Sequence, residues 1–231
     1  MATITIQPSP GYDTYLDGSV HNGNYSTSTE IRIGGRSDDG PYRTLIKMDL
    51  SSIPKNAIIK SAKLYITVSA DYASQTGTIS VYRVLRNWVL TEATWNKYSS
   101  ASSWQTAGAT GAQDIDTSFG AWGSCATGSA DAVDTVRTIT LNTTEFTKFI
   151  NGTYNNYGWL LRTTGAYHDV YAYYSANYAT TASKRPKLVI DFRYPGGEPV
   201  SVSPFFNFFK SFENPWLKKG NLWQPQISEG I

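Results

Sequence analysis

The sequence has a single cysteine, Cys125, among its 231 residues, which excludes an intramolecular disulfide framework. No apolar run approaches the roughly 18 residues that a membrane-spanning helix requires. Residues 1–8 carry neither a basic segment nor a long apolar segment, so no signal peptide is visible. The start of the chain is therefore typical of a protein that is used in the cytosol, that is exported as part of an assembly, or that has been trimmed.

Charge of one sign is also scarce. The formal net charge is +2, and the longest basic run is Lys218-Lys219. Two lysines do not make a basic patch, so the sequence gives nucleic-acid binding no electrostatic support.

Catalytic motifs are missing as well. The two histidines, His21 and His168, lie far apart, and no metalloprotease, nucleophile-elbow, phosphate-loop or dinucleotide motif occurs. Carboxylates do come close together in sequence, but the loops of any β-protein supply such pairs by chance. We therefore expect no enzymatic activity and no catalytic residues. The carboxylate pairs are Asp38 and Asp39, Asp114 and Asp116, and Asp131 and Asp134.

What the sequence does contain is a series of short segments that alternate or are rich in β-branched and aromatic residues, separated by Gly, Asn, Ser and Asp clusters. They predict an all-β fold: an antiparallel two-sheet β-sandwich, most simply a jelly roll, over residues 1–194. The predicted strands are Ile4–Gln7, Thr14–Asp17, Glu30–Ile33, Tyr42–Asp49, Ile58–Ser69, Thr78–Leu85, Thr135–Leu141, Gly158–Thr163, Val170–Ser175 and Lys187–Arg193. The predicted core residues are Ile46, Met48, Leu64, Ile66, Val81, Trp159, Leu161 and Val189.

One short helix is predicted after the seventh of these strands. Asn142 is a suitable N-cap, and Glu145 stands three residues later as its capping-box partner. Phe146 and Phe149 follow at helical spacing, and Gly152 is placed to end the helix. The phenylalanines are expected to belong to the core.

Two blocks carry a family resemblance. The first reads Arg-Thr-Leu-Ile-Lys-Met-Asp-Leu-Ser-Ser-Ile-Pro over residues 43–54, followed by Ser-Ala-Lys-Leu over 61–64. The second has Trp88, Glu92 and then Thr-Trp-Asn over 94–96. Over about residues 12–193 the sequence resembles the disaggregatase-related (DNRLRE-type) β-sandwich family, which is close to the carbohydrate-binding modules of secreted polysaccharide-degrading proteins. The resemblance implies a sandwich of carbohydrate-binding type.

The densest candidate for a sugar site is the tyrosine-rich segment at residues 167–175, because aromatic faces stack on sugar rings. Alternation places Val170 and Ala172 on one face, which is the better candidate for the core. The other face would then be exposed or line a groove. An alternative stays open, in which these aromatics are structural. The predicted binding residues are Tyr171, Tyr173 and Asp169, with Tyr178 and Tyr98 as neighbours.

The early segment offers oxygen ligands for a hard cation. Calcium takes several oxygen atoms from a flexible loop, and the candidates here are Asp13, Asp17 and Glu30. Jelly-roll modules similar to this one often hold a structural calcium there, as the resemblance implies. Two interpretations stay open: a structural calcium ion, or turn residues without an ion.

Residues 97–132 form a long segment without clear periodicity, rich in Ser, Ala, Gly and Thr. Such a stretch inside a compact domain is often functional. Alternatively, Trp104 and Trp122 pin it to the sandwich.

After Arg193 the composition changes. Residues 195–204 form a Pro/Gly linker, and residues 205–231 hold five of the nine phenylalanines. Ser203 and Pro204 predict the start of a short helix with one apolar stripe, followed by an extended aromatic strip. This tail is predicted to dock onto another protein chain. The predicted docking residues are Phe205, Phe208, Phe209, Phe212, Trp216 and Trp223.

Two functions remain as alternatives. The first is a non-enzymatic structural protein of a bacteriophage virion, either decorating the capsid or attached to the tail, which docks on other chains of the assembly through residues 205–231. It would be located in the virion or another cell-external assembly, and could also grip glycans. The second is a carbohydrate-binding module of a secreted polysaccharide-active protein, which leaves the phenylalanine stripe unexplained.

Overall fold

A computed structural model describes residues 1–8, 12–35, 40–72, 75–164, 169–195, 216–219 and 222–225. Its contacts divide the chain into two units, Met1–Gly197 and Glu198–Ile231. The strands of the first unit are β1 (Ala2–Ile6), β2 (Asp13–Asp17), β3 (Glu30–Gly34), β4 (Tyr42–Ile46), β5 (Ile58–Asp71), β6 (Thr78–Arg83), β7 (Lys97–Ser99), β8 (Ser102–Ser103), β9 (Gly123–Ala126), β10 (Val136–Thr140), β11 (Trp159–Thr164), β12 (Val170–Tyr174) and β13 (Lys187–Arg193). It also has a helix, α1 (Thr143–Ile150), and a 3₁₀ turn at Ala182–Lys184.

Eleven strands form one large, curled antiparallel sheet. Its order is β1-β13-β5-β12-β3-β4-β11-β6-β9, with β10 paired to β5 and β2 paired to β4. β5 is 14 residues long, and it pairs with β13 and β10 along its first part and with β12 near its end. The pair Gly34–Tyr42 joins β3 to β4. The curl lays two groups of strands over a common core, so the predicted all-β sandwich is confirmed.

Gly34 is required where β3 meets β12. Its φ angle is +96°, a region that residues with a side chain rarely adopt. A Cβ at this position would also collide with the carbonyl oxygen of Asp169. The close approach of the two strands therefore depends on glycine.

Alternation along the strands fills the core from both sides. Of the predicted core residues, seven are buried, and Met48, Trp159 and Leu161 are among those with no exposed surface. Val189 was predicted wrongly. It is half-buried, because its neighbours Leu188 and Ile190 face inward.

Helix α1 closes part of this core. The side chain of Asn142 accepts a hydrogen bond from the backbone N–H of Glu145 at 3.0 Å, which confirms the predicted N-cap. The Glu145 carboxylate accepts bonds from Lys148 and from the hydroxyl of Tyr154, which differs from the predicted reciprocal cap. Phe146 and Phe149 are buried. The helix thus contributes aromatic side chains to the core, as predicted.

A second apolar cluster lies on the outer face of the curled sheet. Residues 84–115 fold back over this face and bury Leu45 and Leu160 there. Within residues 97–132, Trp104 and Trp122 are buried, at 4% and 2% exposed. These two tryptophans therefore pin the long segment to the sandwich, as the second interpretation states. We call residues 84–115 the covering segment.

Strands β7, β8 and β9 lie within residues 97–132, where the sequence predicts none. They are built mainly from Ser, Gly and Ala, which have weak strand preference. β9 forms because it pairs with β6, and that partner is more than 40 positions away in the sequence. The missed strands therefore reflect tertiary pairing.

The second unit contains a β-hairpin of β14 (Trp216–Lys219) and β15 (Leu222–Pro225). The sequence predicts extended backbone here, and both segments are strands. The predicted phenylalanine helix at residues 205–212 lies outside the described residues.

Candidate functional site

Tyr171 and Tyr173 of β12 face the core, so the prediction that they lie on an exposed face is wrong. Tyr171 and Tyr173 are 4% and 0% exposed, and they lie opposite Ile33 and Ile31 of β3. The large rings fill the space between the layers of the sandwich. The other face of β12 is covered as well, because Ala172 and Tyr174 are also buried. Tyr171 and Tyr173 therefore present no ring face to a sugar in solvent.

The other residues predicted for sugar binding lie in separate places. Asp169 is buried and accepts a hydrogen bond from the backbone N–H of Gln75 at 2.5 Å. The ring of Tyr178 packs on Tyr174, with centroids 4.2 Å apart. Tyr98 packs on Trp104 within the covering segment. The structure does not bring them together as one binding surface.

The predicted calcium ligands do not converge either. Asp13 and Asp17 stand at opposite ends of β2, about 13 Å apart in an extended strand. Asp13 is 1% exposed and accepts a bond from the backbone N–H of Ala176 at 2.7 Å. Its burial raises the pKa of its carboxyl to about 7, which disfavours the charged form that a cation needs.

Asp17 and Glu30 are held by protein donors. Asp17 accepts bonds from the hydroxyls of Ser19 and Tyr25, at 2.6 and 3.0 Å. Glu30 accepts from the hydroxyl of Ser69 at 3.0 Å. Within the described residues, no group of three or more His, Cys, Asp or Glu side chains is placed to hold a metal ion.

The close carboxylates of the sequence have structural partners. Asp114 accepts bonds from three backbone N–H groups of the covering segment. Asp116 pairs with Arg83 at 2.7 Å, and Asp131 pairs with Arg137. Asp38 and Asp39 lie outside the described residues. The aspartates that are described therefore hold loops and strands in place.

Beyond the covering segment, the outer face of the sheet continues across β11, β6 and β9. Alternation places on this face the residues that lie between the inward-facing Ile79, Val81 and Leu161. Arg162 is the cross-strand partner of Ser80, and Ser80 is the partner of Ser124. We call this surface the outer shelf; its residues are Thr78, Ser80, Tyr82, Ser124, Ala126 and Arg162.

The outer shelf carries a cation, Arg162, that forms no ion pair with any carboxylate of the described residues. The guanidinium carbon of Arg162 lies 4.5 Å from the centroid of the Tyr82 ring. Its Nε is buried and has no hydrogen-bond partner within the described part of the chain. No carboxylate among those residues forms an ion pair with Arg162, whereas Arg83 and Arg137 each pair with an aspartate. No carboxylate in the described ranges therefore compensates the positive charge of Arg162.

The arrangement has a simple chemical use. A guanidinium is planar and presents a fork of N–H donors that fits a carboxylate or a sulfate. The Tyr82 ring holds that plane by a cation–π contact. On the same row of the sheet Ser124 is exposed and offers a hydroxyl, whereas Ser80 between it and Arg162 is buried. The shelf can therefore receive an acidic, hydroxyl-rich ligand.

Sequence reasoning missed the outer shelf. One signal was present: Arg162 interrupts the run Trp159-Leu160-Leu161 in a predicted strand. Its neighbours Ser80 and Ser124 are 82 and 38 positions away, so their meeting depends on strand pairing that the local pattern does not reveal.

The comparisons with known proteins point to one family. The model of the disaggregatase related repeat domain matches residues 13–190. No curated protein matches the chain. In the described parts of the chain, no helix has the length and apolar character needed to cross a membrane.

Proposed function

The chain belongs to the disaggregatase-related repeat family, and from that premise we propose that it is a non-catalytic module that binds acidic glycans on the outer shelf. The matched region is a carbohydrate-binding-like β domain. The observation that carries the proposal is the guanidinium of Arg162, which is held on Tyr82 and lacks a carboxylate partner within the described residues.

Charge supports an acidic ligand. A cation that a neighbouring carboxylate neutralises contributes little to the capture of an anion, whereas an uncompensated one attracts it. The bidentate hydrogen bonding of a guanidinium to a carboxylate adds direction to that attraction. A polysaccharide with acid groups at regular intervals has the complementary charge.

Shape supports a chain-like ligand. Neighbouring strands are about 4.8 Å apart, so the row Arg162–Ser80–Ser124 spans roughly 10 Å across three strands. Thr78 and Ala126 form the next row, and both side chains are small, so this row places no large side chain beside Arg162. A short run of sugar units fits along such a surface, next to the covering segment.

The fate of the carboxylates supports a role without catalysis. Hydrolysis of a glycosidic bond uses two carboxyl groups that flank it. Asp114 and Asp116 are instead bonded to backbone N–H groups, Arg83 and Ser118. The outer shelf itself carries no acidic residue among its six members.

The experiment is a binding titration with Arg162→Gln. We expect the intact chain to bind a uronate-containing oligosaccharide, and to bind the carboxyl-reduced form of the same oligosaccharide only weakly. The variant should lose at least about tenfold in affinity for the acidic form. Arg193→Gln is the matched control, because it removes the same charge at an exposed site on β13. The proposal fails if Arg162→Gln binds as the parent does, or if both variants weaken equally.

Display of this module on a bacteriophage virion stays a prediction. It depends on residues 205–231, of which the phenylalanine stripe lies outside the described residues. A docking tail and a glycan-binding shelf are compatible, because they use different parts of the chain. Deletion of residues 204–231 tests the tail without changing any residue of the shelf.

A further inference from the structure

A pocket of about 200 Å³ lies beyond the end of β4. Its lining residues are Tyr12, Lys47, Met48, Asp49 and Asn156. Pockets for drug-sized ligands are larger, about 300–1,000 Å³, so this one has room for a single small ring.

Hydrogen bonds to backbone groups hold the pocket walls. The N–H of Lys47 donates to the carbonyl oxygen of Tyr12 at 2.9 Å. The side-chain amide of Asn156 donates to the carbonyl oxygen of Met48 at 2.9 Å, and its oxygen accepts from the N–H of Gly158 at 3.1 Å. These bonds tie three separate stretches of chain together, so the pocket is preformed.

The lining combines one ring with groups of opposite charge. Tyr12 is 45% exposed, so much of its ring is available to a ligand. Lys47 and Asp49 flank Met48, and no ion pair joins them within the described part of the chain. The backbone N–H of Ser51 donates to Asp49 at 2.9 Å and fixes that carboxylate.

We propose that this pocket binds one neutral sugar ring. A sugar hydroxyl both donates and accepts hydrogen bonds, so neighbouring hydroxyls can accept from the ammonium of Lys47 and donate to the carboxylate of Asp49. The face of the pyranose then stacks on Tyr12. Because the two charges cancel, an acidic sugar gains little at Lys47 that it does not lose at Asp49.

The pocket is separate from the outer shelf, and binding of a neutral sugar there is a further activity beside the function proposed for the shelf. Trp159 of β11 pairs with Ile46 at the end of β4 that adjoins the pocket. Arg162 lies three residues further along β11, about 10 Å away in an extended strand. The two sites therefore differ in position and in the charge of the ligand that they favour.

The test is a titration of the full chain with the methyl glycosides of glucose, galactose and mannose, followed by amide chemical shifts. We expect saturable shifts for at least one of them at residues around Lys47 and Asn156. Tyr12→Ala and Asp49→Asn should each lower the affinity at least about fivefold. Both side chains are exposed or nearly so, and Asn can still accept from Ser51, so the fold should be retained.

Controls separate this site from the shelf. Tyr72→Ala removes another tyrosine, 56% exposed, at a distant position, and should leave the affinity unchanged. Arg162→Gln should also leave it unchanged while it weakens binding of the acidic oligosaccharide. The proposal is overturned if none of the three glycosides binds, if Tyr12→Ala binds as the parent does, or if the zwitterion alanine binds more tightly than every glycoside.

Discussion

Burial decides the chemistry of Asp13, a single residue at the start of β2. Desolvation raises the pKa of its carboxyl from 3.8 to about 7, so the folded protein holds a proton that the unfolded chain releases. The stabilising contribution of this proton is complete below pH 4 and is lost as the pH rises through 7. A shift of this size corresponds to roughly 4 kcal/mol in the free energy of unfolding. We predict a decrease of that order between pH 4 and pH 8.

Asp13→Asn checks this prediction by urea unfolding at a series of pH values. The amide cannot ionise, so the decrease between pH 4 and pH 8 should become much smaller. Asp49→Asn is the control, because hydrogen bonds from Ser51 lower the pKa of that exposed carboxyl and any effect of it lies below pH 4. Equal pH dependence in the parent and in Asp13→Asn would contradict the prediction.

Tyr171 and Tyr173 show what residue-level reasoning can and cannot predict. Alternation along β12 correctly separates them from Val170 and Ala172. The prediction that Tyr171 and Tyr173 lie on an exposed face is wrong, and Ala172 on the other face is buried as well. Inside this sandwich the two large rings fill more space. Periodicity predicts which residues share a face, whereas the width of the gap decides which face is buried.

At the level of elements, the covering segment depends on one aspartate. Asp114 is 0% exposed and accepts bonds from the N–H groups of Gln105, Thr106 and Gly111, at 2.9, 2.9 and 3.1 Å. Asp114→Ala leaves these three donors without their acceptor. A buried unpaired group costs about 1–3 kcal/mol, and because Gln105 and Thr106 are exposed, water replaces part of what they lose. We predict a loss of roughly 2–4 kcal/mol in the free energy of unfolding.

Urea unfolding measured by tryptophan fluorescence checks this value, since Trp104 lies in the same segment. Thr117→Ala, at an exposed position nearby, should change the free energy of unfolding by less than about 0.5 kcal/mol. If Asp114→Ala is as stable as Thr117→Ala, the segment does not depend on this carboxylate.

Elements with a strong local pattern were predictable. β5 and β13 alternate clearly, and α1 carries its cap and its glycine in the sequence. β4 ends at Ile46, three residues before the predicted end. β9 has no such pattern and forms by pairing with β6. The outer shelf depends on that pairing, so it could not be derived from local patterns.

At the scale of the whole molecule, the first unit contains a complete core. The final strand of the sandwich, β13, ends at Arg193 and pairs with β1 on one side and β5 on the other. Residues 198–231 form a separate unit by their contacts. This division allows the docking prediction for the tail to be tested by deletion.

Deletion of residues 204–231 is predicted to leave the sandwich folded. The melting temperature should fall by less than about 3 °C, because 1 kcal/mol corresponds to roughly 2–4 °C in a chain of this size.

The intact chain should self-associate at high concentration through its phenylalanine stripe, and the truncated chain should remain monomeric. Phe208→Ser with Phe209→Ser should reproduce the monomer without truncation. Differential scanning fluorimetry and light scattering measure both quantities; a large fall in melting temperature would mean that the tail packs on its own sandwich and is not a docking element.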